Sequence, residues 1–108
     1  MQPTFLGIVK VPSSGTPVPL ATDTTLRACA ILVATVPDFT GNIFLGGAGL
    51  NQTTLAGVMI KFNAPSAAGV PDHFLLQSED GNNSLHISDY WLDVSVSGEG
   101  ALVTYFQT

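Results

Sequence analysis

Apolar residues recur along the chain in short runs with a period near two, and the runs are separated by clusters of Gly, Pro, Asn and Asp. Residues 4–11, "TFLGIVKV", read as a first strand. The "PSSGTPVP" that follows ends it, because its further prolines cannot continue a central strand. Residues 26–36, "LRACAILVATV", depart from the period of two, since both sets of alternate positions are mostly apolar. That is the pattern of a strand buried on both faces. In a chain this short it needs a second sheet on one side and has room for a neighbouring subunit on the other. A buried helix competes with this reading, but Ile31, Val33, Thr35 and Val36, with Pro37 directly after, favour a strand. "GNIFLGG" and "GVMIKFNAP" follow, joined by the polar "AGLNQTT". "SAAGVP" is read as a loop, "HFLLQ" as a short strand and "SEDGNNS" as a turn. "YWLDVSVSGEGALVTYF" reads as a terminal hairpin: Tyr90, Leu92, Val94 and Val96 alternate with Trp91, Asp93, Ser95 and Ser97, "SGEG" turns, and "ALVTYF" returns. Short strands at this spacing predict an all-β chain, a small jelly-roll-like β-sandwich, with residues 1–108 as one domain.

Composition bears on the surface. Charged residues make up 10% of the 108 residues and apolar residues 45%. A typical soluble domain has about 25% charged residues. A small domain exposes most of its residues, so part of this uncharged surface is expected to lie against other subunits; a neutral Ser/Thr-rich surface is the alternative. Charge is also uneven. Residues 1–61 hold Lys10, Arg27 and Lys61 against Asp23 and Asp38, a net of +1. Residues 62–108 hold Asp72, Glu79, Asp80, Asp89, Asp93 and Glu99 with no base, a net of −6. Three scattered cations cannot neutralise a phosphate backbone or an anionic membrane, so neither nucleic acid nor membrane is expected as a partner. The acidic half is a solvated face or one that meets a basic protein. The longest apolar run, residues 28–34, is too short to span a bilayer. The opening "MQPTFLGIVK" lacks the basic and apolar regions of a secretory signal, so synthesis in a cytoplasm is expected. Cys29 has no second cysteine with which to pair.

No constellation carries catalytic chemistry. The glycines of "GNIFLGGAGL" suggest a phosphate cradle, but G-x-G-x-x-G lacks its third glycine and the P-loop lysine is missing. No helix pattern follows, so a turn or bulge with positive φ is the expectation. Ser84, His86 and Asp89 are close in sequence, whereas triad members come from separate elements. Ser84 and Asp89 fit turn or cap roles, with His86 at a sheet edge. Glu79, Asp80, Asn82 and Asn83 offer oxygens but not the glycine spacing of a calcium loop. His73 and His86 lack the spacing of zinc ligands. No catalytic residue, metal or cofactor is expected. The interface candidates are Trp91, Tyr90 and Phe44. Trp91 falls on the polar side of its alternation, where it would anchor an interface or stack on a sugar; if both faces of that strand are buried, it is core.

Two stretches resemble a family. "TGNIFLGG" at 40–47 and "LHISDYWLDVSVSGEGALVTYF" at 85–106 are similar to segments of small tailed-phage virion structural proteins of the capsid decoration, or cement, kind. The opening "VKVPSSGTPVPLATDTTLRACAILV" follows the same plan of short strand, polar turn and long strand starting near an Arg. The motifs are structural, and no catalytic residue comes with them. The resemblance implies a virion component that stabilises a phage head, with the major capsid protein as partner and a homo-oligomer, a trimer, as its state. A tail-associated carbohydrate- or receptor-binding module using Trp91 or Tyr90 is the alternative.

Overall fold

The computed structural model describes residues 2–62 and 72–108. The strands are β1 (Gln2–Lys10), β2 (Val18–Pro19), β3 (Arg27–Ala28), β4 (Ala30–Thr35), β5 (Ile43–Gly46), β6 (Val58–Phe62), β7 (His73–Gln77), β8 (Leu85–His86), β9 (Trp91–Val94) and β10 (Gly100–Gln107). One 3-10 turn, Ile87–Asp89, lies between β8 and β9. Two four-stranded antiparallel sheets run in the orders β1-β10-β4-β7 and β2-β9-β5-β6, and β3 pairs with β8 beside them. The sheets face each other as a small β-sandwich. The first carries Ile31, Val33, Ala101, Val103 and Tyr105 inward; the second answers with Ile43, Leu45, Phe62, Leu92 and Val94. Val11, Leu20 and Ile87 close the ends of this core.

β5 and β6 are the one pair of consecutive strands in the two main sheets that share a sheet; every other connection between these eight strands changes sheet. This corrects the expected terminal hairpin. β9 lies in one sheet and β10 in the other, so Leu92 and Val94 meet Ala101, Val103 and Tyr105 across the core. An alternating pattern suits a hairpin and a corner equally, because both place every second residue inward. The corner at 95–99 is held by main-chain bonds, Val11 N–H to the Glu99 carbonyl and Gly98 N–H to the Val11 carbonyl, both 2.8 Å. The Glu99 carboxylate accepts from the N–H groups of Thr40 (3.0 Å) and Gly41 (2.6 Å). A Cβ on Gly41 would stand 2.8 Å from that carboxylate, so glycine is what permits the approach. Asn42 N–H donates to Ser95 Oγ at 2.7 Å, and Ser95 N–H to the Asn42 carbonyl at 3.0 Å. "TGN" and "SVSGEG", far apart in the chain, thus clasp each other.

The long strand expected over 26–36 breaks at Cys29. Ala28, Cys29 and Ala30 are all buried, which ends the alternation, and β3 leaves to pair with β8 while β4 stays in its sheet. Beyond Ala30 the period of two returns: Ile31, Val33 and Thr35 point inward, and Leu32 and Ala34 remain half-buried on the outside. β2 is the two-residue edge strand that its prolines allow. The expected "SAAGVP" loop lies outside the described residues.

Candidate interaction surface

The outward face of β1-β10-β4-β7 is built by register. Phe5 lies beside Thr104, Thr104 beside Leu32, and Leu32 beside Leu75, a row straight across the sheet. A second row runs Pro3, Phe106, Ala30, Gln77, and a third Ile8, Leu102, Ala34, His73. Phe5 is 77% exposed, Leu75 44%, Ile8 42% and Leu102 40%. The four strands contain no Asp or Glu, and Lys10 is their one Lys or Arg. Strands spaced about 4.8 Å apart, with outward side chains repeating every ~6.8 Å, make a patch of roughly 400 Å² in plan. Two hollows mark it. One, of about 320 Å³, is lined by Ala30, Leu32, His73, Leu75, Gln77 and Phe106. The other, of about 250 Å³, is lined by Phe5, Gly7, Leu32, Ala34, Leu102, Val103 and Thr104. Small residues beside large neighbours, Ala30 in the first and Gly7 and Ala34 in the second, leave these spaces.

The outward face of the other sheet is covered in part by the chain's own loops, over Asp93, while Met59 on β6 is 47% exposed. Asp93 is 1% exposed. Its Oδ1 accepts from Gly15 N–H (3.1 Å) and Val94 N–H (2.9 Å), and its Oδ2 from Gln52 Nε2 (3.0 Å). Gln52 Nε2 also reaches the Val94 carbonyl (3.1 Å) and Ser14 Oγ (3.2 Å). A buried carboxylate needs such donors, and here they fasten residues 14–15 and 52 onto the sheet. A polar cleft of about 410 Å³ beside it is lined by Ser14, Gly15, Leu50, Asn51, Gln52, Thr53 and Asp93.

The three interface candidates lie on or beside this second sheet. Phe44 is 4% exposed, with the Lys61 ammonium 5.8 Å from its ring centroid. Trp91 is half-buried, paired with Pro19 and Gly46, and does not line the polar cleft. Tyr90 is half-buried against the core; burial, aided by the Asp89 charge, pushes its phenol above the ordinary range. The exposed large apolar side chains are Phe5, Ile8, Leu75 and Leu102 on the first sheet, with Leu55, Met59 and Val96 elsewhere.

The glycines of residues 46–49 serve architecture. β5 and β6 slip register at Gly46, where an added Cβ would collide with the Gly57 carbonyl. Gly49 has φ +75°. Ser84 Oγ donates to Asp80 Oδ1 (3.1 Å) within the 78–84 turn. Hydrogen bonds from Asn82 N–H and the Ser84 hydroxyl hold the Asp80 carboxyl below its usual range. No group of three or more His, Cys, Asp or Glu among the described residues is placed to hold a metal ion. Comparisons with family models, with curated proteins and with solved structures find no match to this chain.

Proposed function

We propose that this chain is a structural virion protein, a capsid decoration or cement protein that stabilises a phage head by burying the outward face of β1-β10-β4-β7 against neighbouring subunits. The observation that carries the proposal is that face: contiguous, apolar, without a carboxylate, and exposing Phe5, Ile8, Leu75 and Leu102. A patch of about 400 Å² matches the largest apolar patch of a typical monomer, and such patches are often functional. Two facing patches of this size cover about 800 Å², roughly 20 kcal/mol gross at 25 cal/mol per Å². Lost freedom on association offsets about 4–15 kcal/mol, and side-chain ordering more. One contact is therefore weak, and repetition over a closed shell supplies the strength. The strand orders β1-β10-β4-β7 and β2-β9-β5-β6, with nearly every connection crossing between sheets, support the jelly-roll reading of the sandwich. The major capsid protein is the proposed partner, the virion the proposed location, and self-association a proposed property, with the trimer coming from the resemblance. No catalytic residue or cofactor enters this reading.

The test is co-sedimentation with shells lacking the decoration protein, comparing the native chain with Leu102→Asp. The charged variant should keep its thermal melt and lose shell binding and shell stabilisation. Equal binding by Leu102→Asp would refute the assignment of this face. The runner-up is a tail-associated carbohydrate- or receptor-binding module using half-buried Trp91, and glycan-array binding abolished by Trp91→Ala would favour it.

A further inference from the structure

The register of the outward face carries an inference about what covers it. The two central strands are unequal in size: β10 presents Leu102 and Phe106, and β4 presents Ala34 and Ala30 beside them in the same rows. Consider a two-fold axis lying in the plane of contact, parallel to the strands and midway between β10 and β4. It keeps every row and exchanges the two sides of the sheet. Phe106 of one copy then stands over Ala30 of the other, Leu102 over Ala34, and Phe5 of the outer strand over Leu75. At the two central strands large side chains meet small ones, which is how facing sheets interdigitate, and at the margins Phe5 meets Leu75 as an apolar pair. The hollow lined by Ala30 is the space Phe106 would enter, and Ala34 borders the second hollow beside the place of Leu102.

Resting on the reading that this face is an assembly interface, we propose that its occupant is a second copy of this chain, docked face to face about that two-fold axis. Each surface is then its own complement, as an isologous contact requires. Area agrees: two facing patches of ~400 Å² in plan, with side-chain relief added, approach the ~1,000 Å² that a specific interface needs. Charge agrees as well. The chain carries a net charge of −5, and these four strands contain no carboxylate, so this contact brings no acidic groups face to face. A three-fold ring is heterologous and leaves the pairing of Phe106 with Ala30 and Leu102 with Ala34 without use, so the inference replaces the trimer with a dimer at this face.

Sedimentation equilibrium on the native chain, on Phe5→Lys, on Leu75→Glu and on an equimolar mixture of the two variants tests it. Both positions are exposed, and far-UV circular dichroism checks that the fold is kept. The native chain should show a mass of two chains. Each variant alone should shift to the mass of one. The mixture should return to two, because a mixed pair sets the two introduced charges, opposite in sign, against each other at one contact and keeps Phe5 against Leu75 at the other. A native mass of one or three chains, variants that still pair alone, or a mixture that stays monomeric would overturn the two-fold contact. A monomeric native chain whose shell binding is lost in Leu102→Asp sinks the dimer and leaves the cement reading standing. A two-fold dimer that binds no shells does the reverse.

Discussion

Replacing Asp93 with alanine tests whether a buried carboxylate fastens the loops to the second sheet. The substitution removes the acceptor for Gly15 N–H, Val94 N–H and Gln52 Nε2, at 3.1, 2.9 and 3.0 Å. A buried donor left without a partner costs about 1–3 kcal/mol. Val94 is fully buried and its N–H has no route to water. Gly15 and Gln52 border the polar cleft, where water can replace the carboxylate. The expected loss is therefore about 3–4 kcal/mol, a large part of the ~5–15 kcal/mol of a typical domain. Asp93→Asn keeps the shape and turns an amide donor toward Gln52, so about 1–2 kcal/mol is expected. Urea unfolding followed by Trp91 fluorescence reads both. With a slope of about 1–3 kcal/mol per M, the midpoint of Asp93→Ala should fall by roughly 1–4 M. Gln52→Ala combined with Asp93→Ala should cost less than the sum of the two single changes, since they share one network. If Asp93→Ala costs under about 1 kcal/mol, the carboxylate is solvated and the clamp argument is wrong.

Other parts of the fold make further expectations. Gly100→Ala drives a Cβ into the Val9 carbonyl, so about 3 kcal/mol should be lost and amide exchange along β1 should accelerate; unchanged exchange would contradict the close approach. Leu55 holds φ +64° while 51% exposed, so Leu55→Asn should raise stability by up to about 1 kcal/mol, and a lower melting temperature would refute the strain. Glu99→Ala strips the acceptor from Thr40 and Gly41 N–H, and about 2 kcal/mol should go, with faster exchange at both amides. Because burial raises the Tyr90 phenol in the folded chain, the unfolded chain ionises first. This contribution to stability is complete below pH ~10, the ordinary tyrosine value, and falls as pH climbs past it toward the folded value. Tyr90→Phe should remove that alkaline component from the pH–stability curve, and an unchanged curve would contradict it.

Strand identity was readable from local pattern, because alternation and glycine or proline punctuation are written within a few residues. "HFLLQ" and "GNIFLGG" sit where their apolar positions put them, and Gly49 takes the positive φ that its type allows. The apolar character of both sides of residues 30–35 was equally legible, and so was the expectation that a second sheet covers one side. The partition of strands between sheets was not. β9 and β10 alternate as a hairpin would, and only main-chain pairing with β5 and β2 on one side and β4 and β1 on the other sends them to opposite layers. Trp91 and Asp93 share a face in any strand, yet Asp93 is buried and Trp91 half-exposed, because the loops carrying Ser14 and Gln52 fold over one and not the other.

By itself, then, the sequence determined an all-β chain with little charge and its turn positions, since backbone preference and side-chain period act over short range. Tertiary structure alone decided that Phe5, Leu32, Leu75 and Leu102, drawn from four separate strands, make one apolar face. It also decided that Asp93 meets Gly15 and Gln52. The physical reason is that register and sheet partnership depend on which distant strands jointly bury the core, and that choice belongs to no single stretch of chain.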